Sequence, residues 1–211
     1  VSIDKMNAKC QLVGMDTISL KSDPRVQAIM DAAIVAFSQY GYRRTSMEDI
    51  AKGAGMSRAA LYLHYRNKED IFRSLTVLYL AHGAEALERE LTPARDPSEA
   101  ILAVFEAAGG PAIELMLSTT HGQELLEAKS SVAAAEIAEW AALLRTKVAA
   151  WLTKEAGANR ISLRETDNSA EDMALLIQRL WFGIKEQVDN FDAYQASIRQ
   201  IAGLLGRGLK V

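Results

Sequence analysis

Between Arg44 and Lys68 the chain gathers the side chains that a phosphate backbone and the edges of base pairs attract. Thr45 and Ser46 offer hydroxyls beside Arg43 and Arg44, Ser57-Arg58-Ala59-Ala60 follows a glycine, and Tyr62, His64 and Lys68 come next. Arginine pairs in bidentate fashion with guanine, and an alanine methyl suits the methyl of thymine. Hydroxyl, imidazole and ammonium groups donate to phosphate oxygens. Tyr62, His64 and Lys68 are therefore expected at phosphates and Arg58 at a base. Arg44, Thr45, Ser46, Ser57, Ala59 and Ala60 complete the expected contact set.

Such groups need a scaffold, and the flanking residues supply one. Asp23-Pro24 opens a helix with an N-cap and a proline at the first helical position, where its missing N–H costs nothing. Val26, Ile29, Met30, Ala33, Ile34 and Phe37 give that helix one apolar face, and Gly41 ends it. Ser46 with Asp49, or Thr45 with Glu48, forms a capping box for a short second helix that buries Ile50, Ala51 and Ala54. Gly55 turns the chain. Ser57 caps a third helix to about His64, with Leu61 and Tyr65 inward, and Asn67 caps a fourth. This order predicts a helix-turn-helix, whose second helix enters the major groove of a duplex.

In that order the segment from about Arg25 to Leu75 strongly resembles the DNA-binding region of the tetracycline-repressor (TetR) family of bacterial regulators. The matching residues are Ala32-Ala33, Phe37, Gly41-Tyr42, Thr45-Ser46, Asp49-Ile50-Ala51, Ala54-Gly55-Met56-Ser57, Leu61-Tyr62, His64-Tyr65 and Asn67-Lys68-Glu69. A phenylalanine commonly stands where this chain has Tyr65. The resemblance implies an all-α homodimer that binds a palindromic operator, usually as a repressor released by a small molecule. It implies nothing specific for residues outside the segment.

Composition agrees with an all-α chain. Of 211 residues 49% are hydrophobic and 24% charged, with only four prolines. The net charge is −3, but residues 21–75 hold nine Lys/Arg against six Asp/Glu, and residues 76–211 hold 13 against 19. A mildly basic head on an acidic body suits a segment that approaches phosphate. The single cysteine, Cys10, rules out an intrachain disulfide and a thiolate zinc site within one chain. No apolar run reaches the roughly 18 residues of a membrane span, and the first twenty residues lack a secretory h-region. A cytoplasmic protein is expected, with no cofactor and no metal. Catalysis is not expected either. His64, His82 and His121 accompany no nucleophile motif, phosphate loop or H-E-x-x-H.

Three segments are expected: a flexible arm at 1–22, in which Lys5 and Lys9 could touch DNA, a helix-turn-helix domain at 23–70, and a helical effector-binding and dimerisation domain at 71–211. Gly109-Gly110-Pro111 interrupts the body's pattern, and residues 122–157 read equally as one helix or two. Two final helices carry apolar stripes: Met173, Ile177, Leu180, Ile184 and Val188, then Tyr194, Ile198, Ile201 and Leu205. By period alone these stripes suit either a four-helix dimer interface or the chain's own core. The resemblance favours the interface. Phe105, Met116, His121, Trp140 and Trp181 are the candidate lining of a small-molecule pocket. A DNA-binding protein controlled by a protein partner, without a small ligand, is the alternative.

Overall fold

The computed structural model describes residues 23–211. The expected arm, with Lys5, Lys9 and Cys10, lies outside the described residues. Among them are nine α-helices, one short 3-10 turn and no strand, so the chain is all-α. The helices are α1 (Pro24–Tyr40), α2 (Met47–Gly53), α3 (Arg58–His64), α4 (Lys68–Glu90), α5 (Pro97–Ser118), α6 (Gly122–Val132), α7 (Ala134–Gly157), α8 (Ala170–Gln187) and α9 (Phe191–Gly208). The Gly109-Gly110-Pro111 triplet falls inside the helical span of α5. Residues 122–157 form two helices, parted at Ala133, whose ψ of 34° leaves the helical region. No single helix among the described residues is long and apolar enough to cross a membrane.

Two compact units divide the chain. The first holds residues 23–81 together with Leu115–Glu136, and the second holds His82–Glu114 with Ile137–Val211.

In the first unit the capping residues act as their types dictate. Asp23 accepts from the Arg25 amide at 2.9 Å, and Asn67 accepts from the Asp70 amide at 2.8 Å. Ser46 and Asp49 close a reciprocal box. Helices of seven residues, like α2 and α3, are unstable alone, so burial must hold them. Ile50 and Leu61 are fully buried against Ile29, Met30, Ala33 and Phe37 of α1 and Ile71 and Phe72 of α4. Each such side chain contributes about 1.5–3 kcal/mol. Phe37, Tyr42 and Phe72 form an aromatic triangle with centroids 5.0–5.6 Å apart. Leu125 and Ala128 of α6 belong to the same core, so this unit draws on a helix about fifty residues beyond the motif.

The second unit packs α5, α7, α8 and α9 around Ile101, Phe105, Leu144, Leu152, Ile177 and Trp181, all buried. Tyr194 ties three of these helices together. Its hydroxyl accepts from Trp181 Nε1 at 3.0 Å and donates to the Phe105 carbonyl at 3.2 Å. At the end of α7 the Glu155 side chain is 1% exposed. It accepts from Arg160 Nε at 2.6 Å, from Arg160 Nη2 at 2.8 Å and from the Ala94 amide at 3.1 Å. The Arg160 hydrogen bonds, aided by the Ala94 amide, hold its carboxyl below the usual glutamate range against the cost of burial. The folded state therefore binds fewer protons than the unfolded chain in that window. The stabilisation is complete above the ordinary glutamate value and is lost as pH falls through the folded one. Thermal midpoints measured against pH are expected to fall on acidification, and Arg160→Met should start from a lower midpoint and lose less of it as the pH falls, because the depression of the Glu155 carboxyl is what makes this contribution acid-sensitive.

Candidate nucleic-acid interface

The turn between α2 and α3 fixes how α3 is presented. Gly55 has φ +67°, a left-handed conformation that glycine adopts without strain. Its amide donates to the Lys52 carbonyl at 3.2 Å, and the Met56 amide reaches back to Ala51 at 3.0 Å. This pair of bonds is a Schellman closure. Ser57 then caps α3, accepting from the Ala60 amide at 3.1 Å. With Leu61 locked in the core, the opposite side of α3 must face solvent.

That side carries Arg58, Ala59, Tyr62 and Leu63, all exposed. The Arg58 guanidinium lies 5.5 Å from the Tyr62 ring centroid, with Nη2 3.4 Å from the hydroxyl. A cation and a phenol are thus held together on the surface that a groove-reading helix presents. Arg44, Ser46 and Ser57 are exposed as well, whereas Ala60 and His64 are half-buried. Ser46 is occupied with Asp49, to which its hydroxyl donates at 2.6 Å. That bond and the Ser46 amide hold the Asp49 carboxyl below its usual range.

Two expected contacts are placed otherwise. Thr45 is 2% exposed, and its hydroxyl donates to the carbonyls of Ala36 at 3.1 Å and Gly41 at 2.7 Å. It pins the α1–α2 loop instead of meeting a phosphate. This also decides between the two possible capping boxes in favour of Ser46 and Asp49. Lys68 turns inward. Its ammonium donates to the carbonyls of Tyr42 (2.8 Å), Arg43 (2.9 Å) and Thr45 (3.0 Å), and lies 4.9 Å from the Tyr42 ring centroid. An ammonium has three donors, and all three are used. Leu63 was missed because its residue type reads as core. The signal was available: residues 61 and 63 lie about 200° apart on a helix and cannot share one buried face.

α6 grips the same loop. The Arg43 amide donates to Glu124 Oε1, and the Arg43 guanidinium lies 3.4 Å from Glu127. At Gly41, with φ +80°, a Cβ would run into Glu124. His121 starts α6 without a side-chain cap, its Nδ1 3.8 Å from Glu124 Oε2. Of the candidate ligand residues, His121 and Met116 thus belong to the first unit, and Phe105, Trp140 and Trp181 to the second. Those three are buried side chains, with the Trp140 and Trp181 rings 5.7 Å apart. A groove of about 260 Å³ in the second unit is lined by Leu87, Leu91, Pro93, Lys147, Trp151 and their neighbours, and by none of the five.

The final helices also differ from expectation in the face they offer. Met173, Ile177, Ile184, Tyr194 and Ile198 are buried within their own unit, and Leu180, Val188, Ile201 and Leu205 are half-buried. The first five are buried as core of their own unit, where Tyr194 is hydrogen-bonded to Trp181 and to the Phe105 carbonyl.

A capped pair of short helices joined by a left-handed glycine, with a cation and a phenol presented on the second, defines a helix-turn-helix head. Residues 29–75 match the family model described as bacterial regulatory proteins, tetR family, so this head is similar to the heads of that family. The biofilm operon negative transcriptional regulator IcaR of Staphylococcus epidermidis is 49% identical over 45 residues, covering 21% of this chain and 24% of that relative. The aligned part thus spans about a quarter of that relative's length. A tetR transcription regulator from Haloarcula marismortui superposes with a TM-score of 0.72 at 17% identity, over 89% of this chain and 98% of that one. A SmeT–triclosan complex gives 0.58 at 17% identity, over 84% and 91%. The structural likenesses establish the fold. The matched family and relatives are transcriptional regulators, not enzymes.

Proposed function

We propose that this chain is a homodimeric repressor that binds a palindromic operator and is released by a small molecule. The head at 23–70 makes the DNA contacts, and residues 71–211 bind the effector and form the dimer. The observation that carries the reading is α3: one side anchored by Leu61, the other offering the Arg58–Tyr62 pair. IcaR, a relative through this head, is described as a negative regulator, which favours repression.

Two half-sites about 34–36 Å apart require two heads, hence a dimer. With Met173, Ile177, Ile184, Tyr194 and Ile198 committed to core, the dimer face falls on the adjoining stripe. It comprises Leu176, Leu180 and Gly183 of α8 with Ile201, Leu204 and Gly208 of α9. Leu204 is 62% exposed and Leu176 39% exposed, and no neighbour stands within 4 Å of a Cβ added at Gly183 or Gly208. Apolar knobs beside small residues suit close helix packing.

For the effector, the complex of SmeT with triclosan gives a precedent in a protein of this fold. The aromatic cluster of Phe105, Trp140 and Trp181 is the proposed wall. Within it Trp140 Nε1 is buried with no hydrogen-bond partner, a donor that suits an acceptor atom on an apolar ligand. Met116, packed against the head's core, and His121, beside Gly41, remain candidates for relaying the response to the reading helix.

The reading is tested by selecting bound duplexes from a random pool and titrating the winner against salt. Arg58→Ala is expected to relax preference at one operator position. Tyr62→Phe should weaken binding to all sequences alike, severalfold. A pool that yields no enriched sequence for the wild type would overturn it.

A further inference from the structure

The most exposed large apolar side chain among the described residues is Leu63, at 86%. It lies one helical turn after the exposed Ala59 on α3. Alongside runs the Arg58–Tyr62 pair, with the guanidinium 5.5 Å from the ring centroid. The presented side of α3 therefore carries two parallel strips, one polar and one of bare methyl groups.

We propose that Leu63, backed by Ala59, reads the C5-methyl of a thymine in the major groove. The proposal rests on the operator-binding reading and adds a specificity-determining residue to it. At the edges of base pairs in the major groove the thymine methyl is the one apolar group, and apolar side chains recognise it. Leu63 has no atom that binds phosphate, and it cannot turn into the core, because Leu61 holds the opposite side of a seven-residue helix. A protein docking on this strip would also cover Arg58 and Tyr62, both placed for DNA. A duplex accommodates both strips at once, with phosphates and polar base edges for one and a methyl for the other.

Replacing thymine by deoxyuridine removes that methyl and leaves the Watson–Crick pair unchanged. In the selected operator each enriched thymine is replaced in turn, and affinity is measured by fluorescence anisotropy for wild type and Leu63→Ala. Alanine is a strong helix former, so the variant keeps α3. At one position per half-site the wild type is expected to bind the thymine duplex about fivefold more tightly than the deoxyuridine duplex. Leu63→Ala should reduce that ratio to about one, with unchanged affinity for unrelated DNA. If wild type and variant show the same ratios at every position while both bind the operator, the role of Leu63 is overturned and the operator reading survives. If the wild type selects no sequence, both fall together.

Discussion

Leu176→Arg combined with Leu204→Arg is expected to convert a dimer into a monomer at micromolar concentration and to weaken operator binding by about 100-fold or more. The two leucines are among the large apolar side chains left exposed, on helices whose other large apolar residues are buried or half-buried. In the proposed dimer a two-fold axis repeats the patch on both subunits, so each substitution places two like charges in an interface that must exclude water. Losing the dimer removes the effective concentration that makes the second half-site contact intramolecular, a factor of 10² to 10⁴ in comparable bivalent systems. Helical content by circular dichroism should be unchanged, because neither residue lies in the core. Leu143→Arg serves as a control: Leu143 is equally 39% exposed but belongs to α7, not to the two helices that carry the stripe, and its replacement should leave mass and affinity unaltered. A double variant that still sediments as a dimer would place the interface elsewhere.

What the sequence made legible was local. Asp23, Ser46, Ser57 and Asn67 each cap the helix that their type and position announce, through side-chain bonds spanning two or three residues. Gly55 takes the left-handed turn its place in the pattern demands. The stripes of α8 and α9 correctly marked two helices but not which side meets what. A helix between its own core and a partner is apolar on two adjoining faces, and a period of 3.6 residues describes both equally well. In the proposed dimer the half-buried Leu180 and Ile201 would lie on the border between those faces, while Met173 and Tyr194 are buried inside the subunit. Non-local partners were invisible. Nothing near Leu125 or Ala128 signals that they complete a core built from residues 29–72. The same limit applied at the site. Thr45 and Lys68 have the residue types of phosphate ligands, and only the folded loop shows that their donors are already taken.

Lys68→Met tests that last point, with an expected loss of about 2–3 kcal/mol in unfolding free energy and no change in the salt dependence of DNA binding. Methionine keeps an unbranched apolar stem against Tyr42 and removes only the ammonium. Three carbonyls of the α1–α2 loop, those of Tyr42, Arg43 and Thr45, then lose a charged donor at 2.8–3.0 Å. A bond to a charged group contributes about 1.5–3 kcal/mol. The estimate stays near the value for one bond because the carbonyls of Arg43 and Thr45 recover some hydration when the loop loosens. The salt slope separates the two possible roles of this lysine. A cation that neutralises a phosphate contributes close to one unit to the slope of log affinity against log salt, and its removal takes that unit away. Lys68, with all three donors engaged inside the protein, should contribute nothing, whereas Arg44→Ala, which removes an exposed cation two residues before Ser46, should lower the slope by about one. Chemical denaturation gives the first quantity and anisotropy titrations from low to moderate salt the second. A Lys68→Met protein with unaltered stability and a shallower slope would return Lys68 to the phosphate backbone, and the loop staple would be wrong.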